Sequence, residues 1–135
     1  MGGRVCGEET AVREIGVARV GHAPADGPYR VLVDRLWPRG IRKVGAPWDE
    51  WLKDVAPSTE LRRWYGHDPS RYEVFRQRYG AELASAIDTP AMRRLFDLAR
   101  GRPLVLLTAT ADLERSHVRT LAAFLEERLR RDEGA

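Results

Sequence analysis

The sequence predicts an α/β fold: a single small domain with a short, mostly parallel sheet flanked by helices. Two stretches are typical of buried strands, because residues 29–36 (YRVLVDRL) and 103–108 (PLVLLT) contain unbroken apolar runs. The residues between and after them carry apolar side chains at helical spacing. Buried strands separated by helices favour a parallel sheet. Only three strands are evident in the sequence, and a fourth strand that has no clear sequence signal is left as an alternative.

The length of 135 residues, of which 43% are hydrophobic, fits one domain around one core. We predict a loose tail over residues 1–10 and a single α/β domain over residues 11–132. The first strand is predicted within residues 12–20 (VREIGVARV), where apolar residues alternate weakly. Cys6 lies in the Gly-rich tail, where an incidental residue is favoured over a redox or nucleophilic thiol.

Five helical stretches are predicted along the chain. The apolar residues of the first have i, i+3, i+4, i+7 spacing: Trp48, Trp51, Leu52 and Val55. The next three begin after good N-caps, two of which precede a proline at the first helical position: Ser58, Asp68 and Thr89. The last helix is predicted from about residue 112 to near residue 131.

Composition and motifs narrow the function classes. The net charge of +3 is small, so the total says little about partners. The chain has no run of 18 apolar residues and no signal peptide at its N-terminus, so we expect a cytoplasmic protein without a membrane partner. Three histidines and one cysteine are scattered along the chain and do not supply the four ligands of a structural zinc. We find none of the common nucleotide, zinc-protease or hydrolase motifs, and predict no metal and no cofactor.

Positive charge is concentrated where the second predicted strand ends. Residues 34–43 contain one acid, Asp34, and four basic residues: Arg35, Arg39, Arg42 and Lys43. This local surplus equals the net charge of the whole chain. Because planar guanidinium groups bind carboxylate and phosphate in a bidentate manner, the segment 33–40 (VDRLWPRG) predicts an anion site.

Two segments follow strands of the predicted sheet, residues 34–40 and residues 108–117. In open parallel sheets, ligands gather beyond the carboxyl ends of the strands. If the two strands are neighbours, Arg35 or Arg39 approaches Asp112 and His117. The sequence therefore predicts that these segments share one site.

Five residues are candidates for substrate binding: Arg35, Arg39, Trp37, Ser58 and Thr59. Each has a structural alternative. An acid could pair with one arginine and fix the loop, and Trp37 could stack on a base, although packing between loop and helix is favoured. Ser58 and Thr59 precede a helix whose backbone amides suit an anion, although simple capping is favoured.

Four residues are candidates for catalysis: His67, His117, Asp34 and Asp112. Histidine titrates near neutrality, and a carboxylate can orient it. His67 is next to Asp68, but adjacent residues seldom form a dyad by themselves, and Asp68 is already explained as an N-cap. His117, near the start of the last helix, could face the site or fill the flank of the helix.

The segments VLVDRLWPRG, APSTELRRW and GHDP occur in an order and at intervals that resemble the bacterial domain-of-unknown-function family four-eight-eight, the YeaO-like group, over residues 29–125. The resemblance implies a small cytoplasmic α/β protein and no particular activity. Distant relatives carry cysteines after the last strand, in a Cys-His-Arg context, whereas the segment here (TATADLERSHVRTL) has none. It keeps Asp112 and His117, but Thr108 and Arg115 replace a common aromatic residue and a common histidine. This departure argues against a thiol mechanism.

Two functions from different classes are left open, and a protein-interaction domain with no small ligand is a third interpretation. The first is a small enzyme acting on a nucleotide, a nucleic acid or another phosphorylated substrate at an arginine-rich anion site. The alternative is a non-catalytic nucleic-acid-binding or regulatory module with a basic surface: Arg35, Arg39, Arg42, Lys43, Arg62 and Arg63. The expected partner is thus an anionic small molecule or a nucleic acid. The sequence does not predict an oligomeric state.

Overall fold

A computed structural model describes residues 15–134, and within that range it contains four strands and four helices. The strands are β1 (Ile15–Arg19), β2 (Tyr29–Leu32), β3 (Glu50–Trp51) and β4 (Leu104–Thr108). The helices are α1 (Thr59–Tyr65), α2 (Tyr72–Ser85), α3 (Pro90–Gly101) and α4 (His117–Gly134). Short 3-10 turns lie at Lys53–Val55, Pro69–Arg71 and Leu113–Arg115. The predicted tail, Cys6 and the start of the first predicted strand lie outside the described residues.

The four strands form one all-parallel sheet in the order β1-β4-β2-β3, which confirms the predicted fold class. Leu104, at the start of β4, pairs with Ile15 of β1 on one side and with Tyr29 of β2 on the other. Strand β4 is therefore central, and all five of its residues are buried. Because β2 and β4 are neighbours, the two strand ends that were expected to carry the site lie side by side.

Helices cover one face of the sheet, and loops cover the other. The main core combines Val31 of β2 and Leu106 of β4 with the inward sides of all four helices. On the opposite face, Leu32 and Leu107 pack against loop residues and against tryptophans near β3. Full burial of each such aliphatic side chain stabilises the fold by about 1.5–3 kcal/mol. The unbroken apolar runs of β2 and β4 are explained by this cover on both faces.

Strand β3 is the strand that the sequence left open, and it replaces the helix predicted from Trp48. The N–H groups of Asp49 and Leu52 donate to carbonyls of the β2 segment at 2.8 and 2.9 Å, so this segment extends the sheet. The helical interpretation was wrong because its apolar residues do not form one stripe. Trp48 and Trp51 pack on the loop-covered face, whereas Leu52 and Val55 pack into the main core.

Ser58 and Thr89 are confirmed as N-caps of α1 and α3, whereas Asp68 caps the 3-10 turn Pro69–Arg71, and α2 begins only at Tyr72, without a side-chain cap. The side chains of Ser58, Asp68 and Thr89 each accept a backbone N–H two or three residues further along the chain. Helix α4 begins at His117, later than predicted, because the 3-10 turn Leu113–Arg115 comes first. None of the helices in residues 15–134 is both long and apolar enough to cross a membrane.

Candidate functional site

A cavity of about 200 Å³ lies at the carboxyl edge of the sheet, beyond the ends of β2 and β4. Residues 34–38, which follow β2, form one wall, and residues 109–110, which follow β4, form another. Residues 56–57, α1 with the turn after it, and residues 116–117 at the start of α4 complete it. The cavity is therefore where ligands of open parallel sheets are expected.

Asp34 and His117 form the floor of this cavity and are largely buried, with side chains 16% and 12% exposed. The Asp34 Oδ2 atom accepts the Ala109 N–H at 2.8 Å, which ties the end of β2 to the end of β4. The His117 Nε2 atom lies 3.0 Å from the Val33 carbonyl oxygen and 3.3 Å from Asp34 Oδ1. The pair thus joins both strand ends to the first turn of α4.

The Asp34–His117 contact is a close approach of the two side chains rather than a well-aligned hydrogen bond. Among the described residues, Asp34 Oδ1 has no hydrogen-bond partner of good geometry, and His117 Nε2 lies closer to the Val33 carbonyl. Burial raises the pKa of Asp34, but contact with His117 and hydrogen bonds from Ala109 and Thr108 outweigh it, so the pKa is lowered overall. Asp34 is therefore ionised at neutral pH.

Arg35 lines the cavity, but its guanidinium is largely engaged with the protein. Its Nε donates to the Pro57 carbonyl at 3.3 Å, and a terminal nitrogen donates to the Ala56 carbonyl at 3.2 Å. The other terminal nitrogen lies 3.9 Å from the carboxylate of Asp54, which is 70% exposed and so contributes little. Arg35 consequently fixes the wall formed by residues 56–57.

Trp37 lines the cavity and is also held by packing. Its Nε1 donates to the Ile41 carbonyl at 2.6 Å. Its ring packs edge-on against Trp48 and Trp51, with centroids 4.8 and 5.3 Å away. Trp51 in turn donates its indole N–H to the backbone carbonyl of Asp34 at 2.7 Å. Trp37 therefore packs against a loop residue and β3 rather than between loop and helix, and its indole remains on the cavity wall.

Ser58 and Thr59 do not line the cavity, and the N-terminus of α1 already holds an internal anion. The carboxylate of Glu82 accepts the Ser58 N–H at 2.9 Å and the Ser58 hydroxyl at 2.6 Å. The same hydroxyl oxygen accepts the Leu61 N–H at 3.1 Å. Capping and an intramolecular carboxylate thus account for this helix end.

Arg62 and His67 form the rim of the cavity, and both are exposed. The Arg62 side chain makes no hydrogen bond or ion pair with the part of the chain that the structure describes. His67 has a φ of 58°, and no other non-glycine residue within residues 15–134 has a positive φ. It follows Gly66, which ends α1 in the left-handed conformation.

The structure brings together five of the nine candidate residues at the cavity: Asp34, Arg35, Trp37, His67 and His117. Arg39 is exposed and does not line it. Asp112 is exposed as well and pairs with Arg115 at 3.1 Å. The described residues contain no group of three His, Cys, Asp or Glu side chains that could hold a metal ion.

Arg62 was predicted only as part of a basic surface, and the helix geometry explains its position. Leu61 and Tyr65 are buried one turn apart on α1. At 3.6 residues per turn, Arg62 lies about 80° from the centre of that buried pair, whereas Arg63 lies about 180° from it. The spacing of Leu61 and Tyr65 in the sequence is therefore the signal that could have predicted Arg62 at the edge of the buried side of α1.

Comparison with known proteins finds a matching family and similar bacterial proteins. A family described as the inactive DUF488-N3 subclade matches residues 14–135. The uncharacterized protein Rv3073c of Mycobacterium tuberculosis is 47% identical over 123 residues, covering 89% of this chain and 98% of that protein. The uncharacterized protein YeaO of Escherichia coli is 45% identical over 101 residues, covering 75% of this chain and 85% of that protein. No solved structure shows a significant match.

Proposed function

The chain belongs to the inactive DUF488-N3 subclade, and on that premise we propose that it is a non-catalytic domain that binds an anionic ligand, bearing phosphate or carboxylate, at the cavity. The resemblance to the YeaO-like group is confirmed by this membership. A binding role agrees with the description of the subclade as inactive and with the absence of a cysteine after β4.

The observation that carries the proposal is the contrast between Arg62 and Arg35. Arg35 donates to two backbone carbonyls, whereas the Arg62 guanidinium has no partner in the described part of the chain. A guanidinium that lines a cavity without a counter-ion is suited to bind a carboxylate or a phosphate in a bidentate manner. His67 lies on the same rim and adds a second group that can donate a hydrogen bond.

The charge distribution predicts how a ligand would be oriented. The floor contains the ionised carboxylate of Asp34, which disfavours an anion there. The interior wall includes Trp37 and Phe75 and therefore suits an apolar or planar group. We thus expect the anionic group at Arg62 and the uncharged part of the ligand inside the cavity.

Isothermal titration calorimetry on three proteins tests the proposal. The ligands are phenyl phosphate, inorganic phosphate and uridine monophosphate, and the proteins are the wild type, Arg62→Gln and Arg63→Gln. A charge-assisted hydrogen bond contributes about 1.5–3 kcal/mol, so Arg62→Gln should weaken binding by about tenfold or more. Arg63→Gln removes the same charge from the far side of α1 and should bind like the wild type. Equal affinities for the two variants would contradict the proposal.

A second candidate function is an enzyme acting on a phosphorylated substrate, and the floor residues favour it. The Nε2 atom of His117 faces the Val33 carbonyl and Asp34, so the second ring nitrogen is the one that could exchange a proton with a substrate. Phosphate release from p-nitrophenyl phosphate and from nucleotides tests this candidate. Turnover that is lost in both His117→Gln and His67→Gln would favour the enzyme over the binding domain.

A further inference from the structure

We infer that the ligand of this cavity is a single-stranded nucleic acid, with one base inside the cavity and backbone phosphates on the basic residues beside it. The inference rests on the proposed function, because it assumes that Arg62 binds an anion at the rim. It adds two statements to that proposal: the ligand is larger than the cavity, and it also contacts a second surface beside the cavity.

The dimensions of the cavity are the first step. A cavity of about 200 Å³ is smaller than the 300–1,000 Å³ of typical small-molecule sites. It therefore holds one planar group, and the rest of a larger ligand must lie outside. The half-buried Trp37 on the wall is suited to an unstacked base, since aromatic side chains bind bases of any identity, while the buried Tyr65 and Phe75 stack on each other and add apolar wall.

The surface next to the cavity is the second step. The wall formed by residues 34–38 continues directly into a loop with three exposed basic residues: Arg39, Arg42 and Lys43. Within residues 15–134, these three side chains make no hydrogen bond and no ion pair. Together with Arg62 at the cavity rim they form a set of cations, here called the basic loop surface, that has no internal counter-ion within residues 15–134.

Arginines elsewhere on the protein differ from this surface because many pair with carboxylates. Arg94 pairs with Glu50 at 2.8 Å, and Arg119 pairs with Glu114 at 2.8 Å. The basic loop surface thus combines uncompensated charge with an adjacent aromatic cavity. Proteins that bind single-stranded nucleic acids combine the same two features, a positively charged groove and aromatic stacking sites.

A duplex and a lipid surface fit these observations less well. A duplex keeps its bases stacked, so a base can enter the cavity only after the cost of unstacking. The loop does expose Leu36 and Val44, at 61% and 91%, and basic loops with apolar residues can bind anionic lipids. A lipid surface, however, gives no role to the aromatic cavity, whereas a single strand uses both features.

Fluorescence anisotropy with a labelled 12-mer of oligouridylate tests the inference. The wild type should bind the 12-mer more tightly than it binds uridine monophosphate, and affinity should fall with salt. The triple variant Arg39→Gln, Arg42→Gln, Lys43→Gln should lower the slope of log K against log salt by about 2, since each phosphate contact contributes about 0.7. The same variant should leave the affinity for uridine monophosphate unchanged.

The control removes three positive charges from α3 and α4, through Arg93→Gln, Arg119→Gln and Arg130→Gln, and should bind the 12-mer like the wild type. An abasic 12-mer and a duplex of equal length should bind at least tenfold more weakly than the single strand. Equal binding of the abasic strand, or a triple loop variant with the wild-type salt slope, would overturn the inference. So would binding to anionic vesicles in the absence of oligonucleotide binding.

The two proposals fail in distinguishable ways. If Arg62→Gln keeps the wild-type affinity for phosphate ligands, the proposed function is wrong and the inference loses its premise. If Arg62→Gln weakens phosphate binding, but the 12-mer binds no better than uridine monophosphate, only the nucleic-acid inference is wrong.

Discussion

The His117 Nε2 atom lies 3.3 Å from Asp34 Oδ1, so a residue that opens α4 faces a residue that follows β2 and lies 83 positions earlier in the chain. This contact, with the Ala109 N–H on the other carboxylate oxygen, brings three elements together at the floor of the cavity. The site and the stability of the sheet edge therefore depend on the same carboxylate.

Asp34→Asn should destabilise the protein by about 1–3 kcal/mol at pH 7, because it removes the negative charge beside His117 and weakens the acceptor for Ala109. Urea denaturation at constant m-value measures the loss. Asp26→Asn is the control. It also removes one negative charge, but Asp26 is exposed and makes no side-chain hydrogen bond or ion pair within residues 15–134. If both variants unfold at the wild-type urea concentration, the floor pair does not stabilise the fold.

The stabilisation by Asp34 should depend on pH in a defined direction. The pKa of Asp34 is lowered in the folded state, so the carboxylate stabilises the protein above its unfolded pKa of about 3.9. That contribution is lost as the pH falls through the lower, folded pKa. The difference in unfolding free energy between wild type and Asp34→Asn should therefore shrink on acidification below about pH 4. A difference that grows in this range would contradict the assignment.

Arg35→Met should lower stability by about 1–2 kcal/mol, because the Ala56 and Pro57 carbonyls lose their donors. Arg35→Lys should recover part of the loss, since an ammonium can reach one carbonyl but cannot form the fork. Thermal unfolding monitored by circular dichroism measures both. A lysine variant as unstable as the methionine variant would show that packing, not hydrogen bonding, explains the role of Arg35.

His67→Gly should stabilise the protein by about 0.5–1 kcal/mol while weakening ligand binding. The backbone of His67 has a φ of 58°, a conformation that costs most L-residues about 1–2 kcal/mol and costs glycine little. Chemical denaturation and titration with phenyl phosphate measure the two effects. His67→Asn, which tolerates the same backbone conformation, separates backbone strain from the imidazole. A glycine variant that is less stable than the wild type would refute the strain argument.

Ser58→Ala should destabilise α1 by about 0.5–2 kcal/mol, because it removes the N-cap and leaves the Glu82 carboxylate with a single donor. A double-mutant cycle with Glu82→Gln measures how much of this loss depends on the carboxylate. Additive effects of the two substitutions would show that the Ser58–Glu82 contact does not contribute beyond the cap.

Local signals in the sequence predicted much of the fold. The apolar runs of β2 and β4 predicted central strands, and Ser58 and Thr89 marked helix starts, because both signals depend on neighbouring residues alone. Strand β3 was not predictable in this way. Its two residues are held by pairing with β2, and the spacing from Trp48 onward resembles a helix although its side chains lie on two faces.

The site was predictable to the extent that it follows from strand topology. The rule for parallel sheets placed the segments 34–40 and 108–117 at one edge, and Asp34, Arg35 and His117 line the cavity there, whereas Arg39 and Asp112 of the same segments do not. The availability of each arginine was not predictable, because it depends on tertiary contacts. Backbone carbonyls 21 and 22 positions away occupy Arg35, while Arg62 lies at the border of a buried helix side with no described partner.

The edge-on contacts among Trp37, Trp48 and Trp51 place three of the four tryptophans of this protein within one cluster that touches the cavity. Because Trp51 also donates to the backbone carbonyl of Asp34, the cluster is hydrogen-bonded to a residue at the floor of the cavity. Indole emission responds to local polarity and to stacking partners, so the protein contains its own optical reporter of cavity occupancy. A titration followed by intrinsic fluorescence can thus detect ligands without any label.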